Sequence, residues 1–401
     1  MSIASETAQP KVSWLNLNDP KVRGLIYQIV LGVLVVALIF SAGWNARENL
    51  IKQKIASGFG FWNNTAGFDI GQRLINYTTT SSYGQAFWVG LLNTLLVAAI
   101  GIVLATILGF SVGIMRLSKN WLINKVGTIY VELFRNTPLL LQLLFWYNAV
   151  LKALPERVAD SLALPGSIFI NRRGLILPEP VFAHDFSWVV DAFFFGVVAT
   201  IAFRYWAHKR QAATGAQAPV FLTGLGLIIG LPLVVFIIAS ISAGVPLSFN
   251  LPELGRFNIR GGVQVYPEFV ALLLGLTIYT AAFIAEAVRA GIQSVYKGQT
   301  EAAYALGLRP NKTLDLVVIP QAMRVIIPPL TSQYLNLVKN SSLAVSIGYP
   351  DLVQVFAGTV LNQTGQAVEV IAITMAVYLT ISLVTSLAMN VYNSRKALIE
   401  R

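Results

Sequence analysis

Residues 87–114 read FWVGLLNTLLVAAIGIVLATILGFSVGI, and this stretch contains no Asp, Glu, Lys or Arg. The charge-free interval around it extends from Leu74 to Met115, and a second interval extends from Gln211 to Pro252. About 20 apolar residues cross the hydrocarbon core of a bilayer as a helix, so each interval has room for a span. The pattern therefore predicts a multi-spanning membrane protein.

The composition of the whole chain agrees with this prediction. Of its 401 residues, 55% are hydrophobic and only 12% are charged, whereas about 25% are charged in an ordinary soluble domain. A soluble core of this size needs more charged residues to cover its surface. These values exclude a soluble enzyme, a nucleic-acid-binding protein and a disordered chain as descriptions of the whole protein.

Few residues are available for catalysis or for metal binding. The chain has no cysteine, which excludes disulfides, thiol catalysis and cysteine-ligated metals. Its two histidines, His184 and His208, lie in different predicted loops, so we assign no catalytic residue and no metal ligand. The net charge of +11 comes mostly from basic residues that flank the apolar stretches, as orientation signals do. We therefore expect no nucleic-acid partner.

Eight apolar stretches are candidates for helical spans, and they predict an all-α membrane fold. They cover residues 24–43, 87–114, 127–151, 188–203, 220–240, 269–289, 325–347 and 370–392. With the N-terminus in the cytoplasm, the inner segments hold 17 of the 29 Lys and Arg residues, and the longer outer segments hold 10. Because basic residues are enriched on the cytoplasmic side, both termini are predicted to be cytoplasmic. The first apolar run is longer than that of a usual signal peptide, so we expect an uncleaved anchor.

Polar features divide the chain into five segments. Residues 83–154 and 263–401 have polar side chains, prolines and glycines inside or beside their spans, and they are predicted to form the two parts of a functional core. A cytoplasmic N-terminus (1–23) and an extra span with its outer loop (24–82) precede them. Residues 155–262 contain an outer loop and two plain apolar helices. We interpret this segment as an insertion whose helices lie at the periphery.

The most informative inner segment reads EAAYALG over residues 301–307 and VVIP over residues 317–320. Residues 299–306 form a predicted alanine-rich helix that stops at Gly307, because helices often end at a glycine. Glu301 then lies near the helix start, where a carboxylate interacts favourably with the helix dipole. A second helix is predicted to open around residues 310–313 and to end at Pro320. Such a pair of helices offers a surface for a partner protein, although composition alone fits an ordinary loop equally well.

The segment resembles the EAA loop of ABC-importer permeases: Glu-Ala-Ala, three residues, Gly, nine residues, Ile, any residue, Leu-Pro. Val317 and Ile319 replace the Ile and the Leu of that pattern. Further motifs resemble the polar amino-acid permease branch, whose members commonly have Gly in place of Asn136 and Thr in place of Ser341. These motifs are GLLNT (90–94), YVELFRNTPLL (130–140), YTAAFIAEAVRAGIQSV (279–295), KGQ (297–299) and LVKNSSL (337–343). The long chain is similar to the general L-amino-acid permease subunits of proteobacteria.

This resemblance implies a type I importer permease in the bacterial inner membrane that alternates between inward- and outward-facing states. The implied partners are a periplasmic amino-acid-binding protein, two copies of an ATP-binding subunit, a second homologous permease subunit and the L-amino acid. The expected coupling residues within segment 299–320 are Glu301, Ala302, Ala303, Ala305, Gly307 and Pro320. The chain lacks a Gly-x-x-x-x-Gly-Lys-Ser/Thr phosphate loop. ATP and Mg²⁺ are therefore expected in the partner, and this chain is expected to hold no cofactor and to be no ATPase.

Charged and polar residues inside the spans are the candidates for substrate binding, because a charge at a helix centre costs about 2.5 to 3.5 kcal/mol on insertion scales. A zwitterionic amino acid needs a cation for its carboxylate and an acceptor for its ammonium group. The candidates are Tyr279, Glu286 and Arg289 on one face of the sixth span, Glu132, Arg135, Asn136 and Thr137 in the third, and Lys339, Asn340 and Ser341 in the seventh. An internal ion pair between Glu286 and Arg289 is the competing interpretation.

Two other functions remain open from the sequence alone. An ion- or proton-coupled secondary amino-acid transporter also has buried charges and bent or broken helices, and we expect a bend or a break at Pro138 and at Pro328-Pro329. This alternative does not explain the inner EAA-like segment. A membrane anchor or sensor without a transport role predicts no charges inside its spans.

Overall fold

The computed structural model describes residues 20–52, 57–183, 185–242, 244–255 and 258–396. These residues are mostly helical, as predicted. The helices are α1 (Pro20–Lys52), α2 (Tyr83–Met115), α3 (Trp121–Asn136), α4 (Leu139–Leu144), α5 (Phe186–Thr214), α6 (Val220–Leu225), α7 (Leu231–Ser242), α8 (Pro267–Gln293), α9 (Lys297–Ala305), α10 (Pro310–Thr313), α11 (Ile319–Asn340), α12 (Leu361–Thr364) and α13 (Ala367–Lys396). Most of the predicted cytoplasmic N-terminus (1–19) and the last residues (397–401) lie outside the described residues.

Seven helical stretches among the described residues are long and apolar enough to cross a membrane. They correspond to seven of the eight predicted spans, and the fourth is longer than predicted, since α5 covers Phe186–Thr214. The third predicted span, residues 127–151, is not one helix. α3 ends at Asn136 and α4 begins at Leu139, because proline disfavours helical backbone in the residue before it. Thr137, which precedes Pro138, is accordingly extended (φ −99°, ψ 127°).

The core forms where α2, α8 and α11 pack against one another. α8 is the most buried span: 61% of its most apolar stretch lies inside the protein. Two glycines of α2 allow α8 to approach closely. A Cβ on Gly109 would lie 2.6 Å from the Cβ of Ile284, and a Cβ on Gly113 would lie 2.8 Å from that of Val288. Because the glycines are four residues apart, they lie on one face of α2.

The sequence predicts a bend or a break at Pro328 and Pro329, and because α11 is continuous through them, the helix is not broken there. Membrane helices tolerate prolines where neighbouring groups satisfy the freed carbonyls. The helix type changes only at Ser341, where the 3₁₀-helix Ser341–Ile347 begins. The polar sequence at 339–341 therefore marks the end of α11 and not its middle.

The described residues also contain eight short strands outside the spans, which the sequence does not predict. β1 (Leu162–Leu164), β2 (Ile168–Asn171), β3 (Gly174–Leu177) and β8 (Val263–Val265) form an antiparallel sheet in the order β1-β2-β3-β8. β4 (Glu179–Phe182) pairs with β5 (Leu247–Asn250), and β6 (Glu253–Leu254) pairs with β7 (Ile259–Arg260). β3 and β4 precede the inserted helices, and β5 and β8 follow them. The β3–β8 and β4–β5 pairs therefore hold the two ends of the insertion together.

The insertion is a helical hairpin of α5 against α6 and α7. A π-helical segment, Gly226–Gly230, connects α6 to α7, and these elements have their main contacts with one another. A Cβ on Gly196 of α5 would lie 2.1 Å from the carbonyl oxygen of Leu227, so the helices cross closely there. Only 11% of the most apolar stretch of α5 is buried, and 6% of that of α6–α7. The hairpin is thus largely exposed in this chain, and its place in an assembled transporter stays a prediction.

Candidate functional site

The first candidate surface is the inner segment that follows α8. α9 ends in a Schellman motif, in which the N–H of Leu308 donates to the carbonyl of Ala303 (3.1 Å) and the N–H of Gly307 to that of Tyr304 (2.9 Å). Gly307 is left-handed (φ +78°), a conformation that costs a residue with a Cβ about 1–2 kcal/mol. Pro310 then opens α10, at a position where its missing N–H does no harm. The predicted helix, glycine stop and second helix are all present.

Three details of this segment differ from the sequence expectation. Pro320 does not end the second helix, because α10 continues through the π-helical turn Leu314–Val318 into α11. α9 begins at Lys297, so Glu301 lies beyond the first turn, where the helix dipole is no longer effective. Ala303 is buried (4% exposed) on the side of α9 that contacts α10 and the π-turn.

The outward side of α9 is formed by the other candidates. Glu301, Ala302, Ala305 and Gly307 are all exposed. In the part of the chain that the structure describes, the Glu301 carboxylate has no hydrogen-bond or ion-pair partner. Small side chains and one free carboxylate therefore face away from the core.

The second candidate site is an ion-pair cluster around Glu286 of α8. Nη2 of Arg289 lies 2.5 Å from Oε1 of Glu286, and Arg116, which caps the C-terminus of α2, donates to Oε2 of the same carboxylate. Nη1 of Arg135 in α3 lies 3.9 Å from Oε2. One carboxylate thus links α2, α3 and α8, and three guanidinium groups face a single negative charge.

Aromatic rings extend this cluster along the contact between α3 and α8. The guanidinium of Arg135 lies over the ring of Phe283 at 5.1 Å, and that ring packs against Tyr279 with 4.9 Å between the centroids. The structure therefore brings together four predicted substrate residues: Tyr279, Glu286, Arg289 and Arg135. It also contains the ion pair between Glu286 and Arg289 that the competing interpretation requires.

The other predicted substrate residues have no contact with this cluster among the described interactions. They are Glu132, Asn136 and Thr137 in or after α3, and Lys339, Asn340 and Ser341 at the end of α11. Glu132, Asn136 and Lys339 are exposed. The hydroxyls of Thr137 and Ser341 donate to backbone carbonyls about one turn earlier, as hydroxyls in membrane helices often do.

Sequence reasoning missed Arg116. Its side chain is only 12% exposed, and its partner Glu286 is 170 positions away along the chain. The sequence does contain one signal for Arg116: it is the first charged residue after the charge-free interval that ends at Met115. A charge at the end of a span needs either water or a partner, and here Glu286 is the partner.

A buried polar network, also missed, lies near the opposite end of α2. Asn93 and Thr94 are completely buried. Nδ2 of Asn93 donates to the carbonyl oxygens of Gln72 (2.8 Å) and Pro350 (2.9 Å), and the hydroxyl of Thr94 accepts the N–H of Leu352 (3.0 Å). These bonds fasten α2 to the segment that follows α11.

Asp351 is the charged member of this network, and it is completely buried. Its carboxylate accepts the backbone N–H of Gln354 (2.8 Å) and the hydroxyl of Tyr378 (3.3 Å). Burial raises the pKa of the Asp351 carboxyl to about 7, and the hydrogen bonds oppose this rise only in part. The protonation of this group therefore changes near neutral pH.

Comparison with known proteins identifies the family. The family described as "Binding-protein-dependent transport system inner membrane component" matches residues 218–398. The chain is also 53% identical over 385 residues to the general L-amino acid transport system permease protein AapQ of Rhizobium johnstonii, over 96% of this chain and 95% of that protein. The chain belongs to this permease family. It is accordingly a multi-pass inner-membrane protein.

Other relatives of the permease share its full length. It is 50% identical to the putative amino-acid ABC transporter permease protein YhdX of Escherichia coli, over 96% of this chain and 97% of that protein. It is 42% identical to the glutamate/glutamine/aspartate/asparagine transport system permease protein BztB of Rhodobacter capsulatus, over the whole of both chains. These relatives thus match this chain over nearly its whole length.

Proposed function

We propose that this permease imports polar or general L-amino acids as one translocation subunit of an ATP-binding-cassette importer. A periplasmic binding protein delivers the amino acid, and a second, homologous permease subunit completes the pathway. Two ATP-binding subunits hold ATP and Mg²⁺ and drive alternating access. The substrate class is supported by the full-length relatives, whose names state amino-acid transport. The rival proposal, an ion-coupled secondary transporter, accounts neither for the family match nor for the inner segment.

The exposed side of α9 is the observation that carries the coupling proposal. Ala302 and Ala305 are small and exposed, so the groove of an ATP-binding subunit can approach the helix backbone closely. The free carboxylate of Glu301 is available to a basic residue of that subunit. α9 begins four residues after α8 ends, so movement of α9 is transmitted to the helix that carries Glu286.

The coupling proposal is tested with Ala302→Arg and Ala305→Arg, which place a long cation on the exposed side of α9. Each variant should insert normally, lose the ATP-binding subunit on co-purification and lower amino-acid uptake at least about tenfold, as loss of an interface centre does. Ala216→Arg is the matched control, because Ala216 is exposed in the turn of the inserted hairpin. It should change neither readout. Normal uptake with the ATP-binding subunit still attached in the α9 variants would contradict the docking role.

Gly307 gives a second test of the same surface. Gly307→Val forces a β-branched residue into the left-handed conformation at φ +78° and should weaken subunit association without adding charge. Ala303 is unsuitable for this purpose, because it is buried and a substitution there would disturb α9 itself.

We further propose that the cluster around Glu286 contacts the substrate. Three guanidinium groups surround one carboxylate, and the excess positive charge suits the α-carboxylate of an amino acid. Arg135 is the best candidate for this contact, because it has the longest ion pair and its side chain is 40% exposed. Tyr279, Glu132, Asn136, Thr137, Lys339, Asn340 and Ser341 stay predicted contacts.

Substitutions of two arginines separate binding from structure. Arg135→Gln should raise the substrate concentration needed for half-maximal uptake while assembly is unchanged, because Arg135 contributes least to the ion pairs. Arg289→Ala should abolish uptake while the ATP-binding subunit remains attached. If Arg289→Ala also loses the subunit, and Arg135→Gln transports normally, the cluster is structural and the substrate assignment is wrong.

The orientation of the permease is a separate proposal. The distribution of Lys and Arg favours cytoplasmic N- and C-termini. A reporter fused after Arg401 should be cytoplasmic, and one inserted near Arg172 should be periplasmic. Both reporters on the same side would contradict this topology.

A further inference from the structure

A groove of about 590 Å³ lies inside the inserted hairpin, between α5 and the α6–π-helix segment. It lies mainly between the close crossing at Gly196 and Leu227 and the turn 215–219. One wall contains polar side chains of α5, and the facing wall contains the apolar side chains of Val220, Phe221 and Leu225. The groove therefore has a charged edge and an apolar floor.

The polar side chains of the first wall share one face of helix α5. Arg204, His208 and Gln211 follow one another at spacings of four and three residues, which places them on one face of α5. Arg204 and His208 are exposed, whereas Ala207 on the same wall is buried. In the described part of the chain, the side chains of Arg204 and His208 have no hydrogen-bond or ion-pair partner.

The neighbouring cations are oriented differently. Nζ of Lys209 lies over the ring of Tyr205 (4.9 Å), and the guanidinium of Arg210 lies over the ring of Trp206 (5.2 Å). Neither residue lines the groove. The helix thus carries two kinds of cation: Lys209 and Arg210 on aromatic rings, and Arg204 facing the groove.

The positive charge beside the groove has no acidic residue close to it along the hairpin, because Asp191 of α5 is 13 residues before Arg204. No Asp or Glu occurs between Asp191 and Glu253. Any anion that neutralises Arg204 must therefore come from another part of the assembly or from outside the protein. The hairpin has its main contacts within itself, so no other described element of this chain is a major partner of the groove.

The length and the composition of α5 place the groove at the edge of the hydrocarbon core of the membrane. α5 has 29 residues, which at 1.5 Å per residue make a helix of about 43 Å, longer than the roughly 30 Å hydrocarbon core. Tyr205 and Trp206 are exposed aromatic residues followed by cations, which is the composition found where a span leaves the hydrocarbon. Arg204 and His208 then lie at the headgroup level. Because the Cβ position of Gly224 lies 3.0 Å from Thr200, Val220 is about level with Arg204, and Leu225 lies on its hydrocarbon side, beside the acyl chains.

We propose that this groove binds one anionic phospholipid. The phosphate-bearing headgroup accepts hydrogen bonds from Arg204 and His208, and one acyl chain lies along Val220, Phe221 and Leu225. An anionic headgroup supplies the charge that the hairpin lacks, and the apolar floor requires a chain that a free phosphate does not have. α5 begins just after β4, and α8 begins just after β8, so both spans start on the side of the membrane where the strands lie. The turn 215–219 after α5 and helix α9 after α8 therefore lie on the opposite side. The lipid then belongs to the same leaflet as segment 299–320.

The test uses the complete permease complex in nanodiscs of phosphatidylcholine that contain a small fraction of photoactivatable phosphatidylglycerol. Irradiation should label peptides of α5 and α6, and unlabelled phosphatidylglycerol should compete, whereas phosphatidylcholine and inorganic phosphate should not. The double variant Arg204→Gln/His208→Gln should lower this labelling about fivefold or more. The matched control, Lys209→Gln/Arg210→Gln, removes more formal charge from the same helix outside the groove and should leave the labelling unchanged.

Several results would overturn the proposal. Equal losses in the two double variants would indicate general attraction between the hairpin and an anionic membrane. Competition by inorganic phosphate would indicate a site for a free anion, and equal competition by phosphatidylcholine would indicate an apolar groove without headgroup recognition. Cross-links from the groove to another subunit, in place of lipid, would show that a protein covers it. The wild-type competition needs no variant, so the test does not depend on how the variants fold.

Discussion

Two spans of the permease have the same mean hydropathy and opposite surroundings. Tyr83–Met115 in the core and Val220–Ser242 in the inserted hairpin each have a most apolar stretch with a value of 2.6, yet 33% of that stretch is buried inside the protein in the first span and 6% in the second. The difference lies in where their small residues face. Gly109 and Gly113 meet α8 of the core, whereas Gly224 meets only Thr200 of its own hairpin, and Gly226 and Gly230 have no neighbouring atom within 4 Å of an added Cβ. Hydropathy thus predicts that a helix crosses the membrane, and the contacts of its small residues determine what it packs against.

The polar side chains of the two regions differ in the same way. In the core, Asn93, Thr94 and Asp351 are completely buried and bond to other elements of the chain. In the hairpin, the hydroxyls of Thr200 and Ser240 donate to carbonyls four residues earlier in their own helices. These three polar groups of the core therefore join elements, whereas the two hydroxyls of the hairpin bond only within the helix that carries them.

The largest effect is expected from a side chain added at the glycine contact of the core. Gly109→Val places new atoms against Ile284, where even a Cβ would lie at 2.6 Å. Overpacking costs about 1–3 kcal/mol, so the apparent melting temperature of the purified permease should fall by roughly 1–4 °C. Fluorescence-detected size-exclusion after heating measures this shift.

Gly230→Val is the matched control in the hairpin. It adds the same side chain to a glycine with open space around it, so the melting temperature should stay within about 1 °C. If both variants melt alike, close helix contact is not what distinguishes the core from the hairpin.

The parts of this fold that the sequence predicts are those set by local residues. The spans follow from runs of apolar residues, the break before α4 follows from Pro138, and the end of α9 follows from Gly307. Pro328 and Pro329 show the limit of the same local rule, because α11 continues through them.

The parts that the sequence does not predict depend on distant partners. Glu286 and Arg289 are three residues apart, so their pair is visible in the sequence, whereas Arg116 joins them across 170 positions. Asp351 is a lone carboxylate in the sequence, and only the fold buries it against Tyr378. Ala303 and Ala302 are equivalent by composition, but α10 covers one side of α9 and thus only Ala303 is buried.

A smaller effect is expected from pH, through Asp351 in the core. Its pKa is about 7 in the folded protein, above the ordinary value of 3.8, because of burial. The folded state therefore holds this proton more tightly than the unfolded state does, and the resulting stabilisation is complete below pH 4 and lost as the pH rises through 7. The melting temperature of the wild type should fall across this range relative to Asp351→Asn, by a few degrees.

Thr200→Val serves as the hairpin counterpart for the pH experiment, because it changes a polar group of similar size that bonds only its own helix. Its pH profile should follow that of the wild type. If the melting temperature of Asp351→Asn also depends on pH as that of the wild type does, Asp351 does not titrate in this range. The buried polar groups of the core and of the hairpin would then not differ in their response to pH.

The smallest effect is expected from removing the hairpin altogether. β4 and β5 pair antiparallel up to Phe182 and Leu247, and the N–H of Ala183 continues the ladder to the carbonyl of Pro246 (3.0 Å). Residues 184–245 can therefore be replaced by Asn-Gly, a two-residue turn that suits such a strand pair. Because the hairpin has its main contacts within itself, the shortened permease should assemble with the ATP-binding subunit and take up amino acids within about twofold of the wild type, although the lipid labelling disappears.

Assembly with loss of uptake would place the hairpin in the transport pathway. Loss of assembly would make it a subunit contact, and in either case the division between a packed core and a self-contained hairpin would fail.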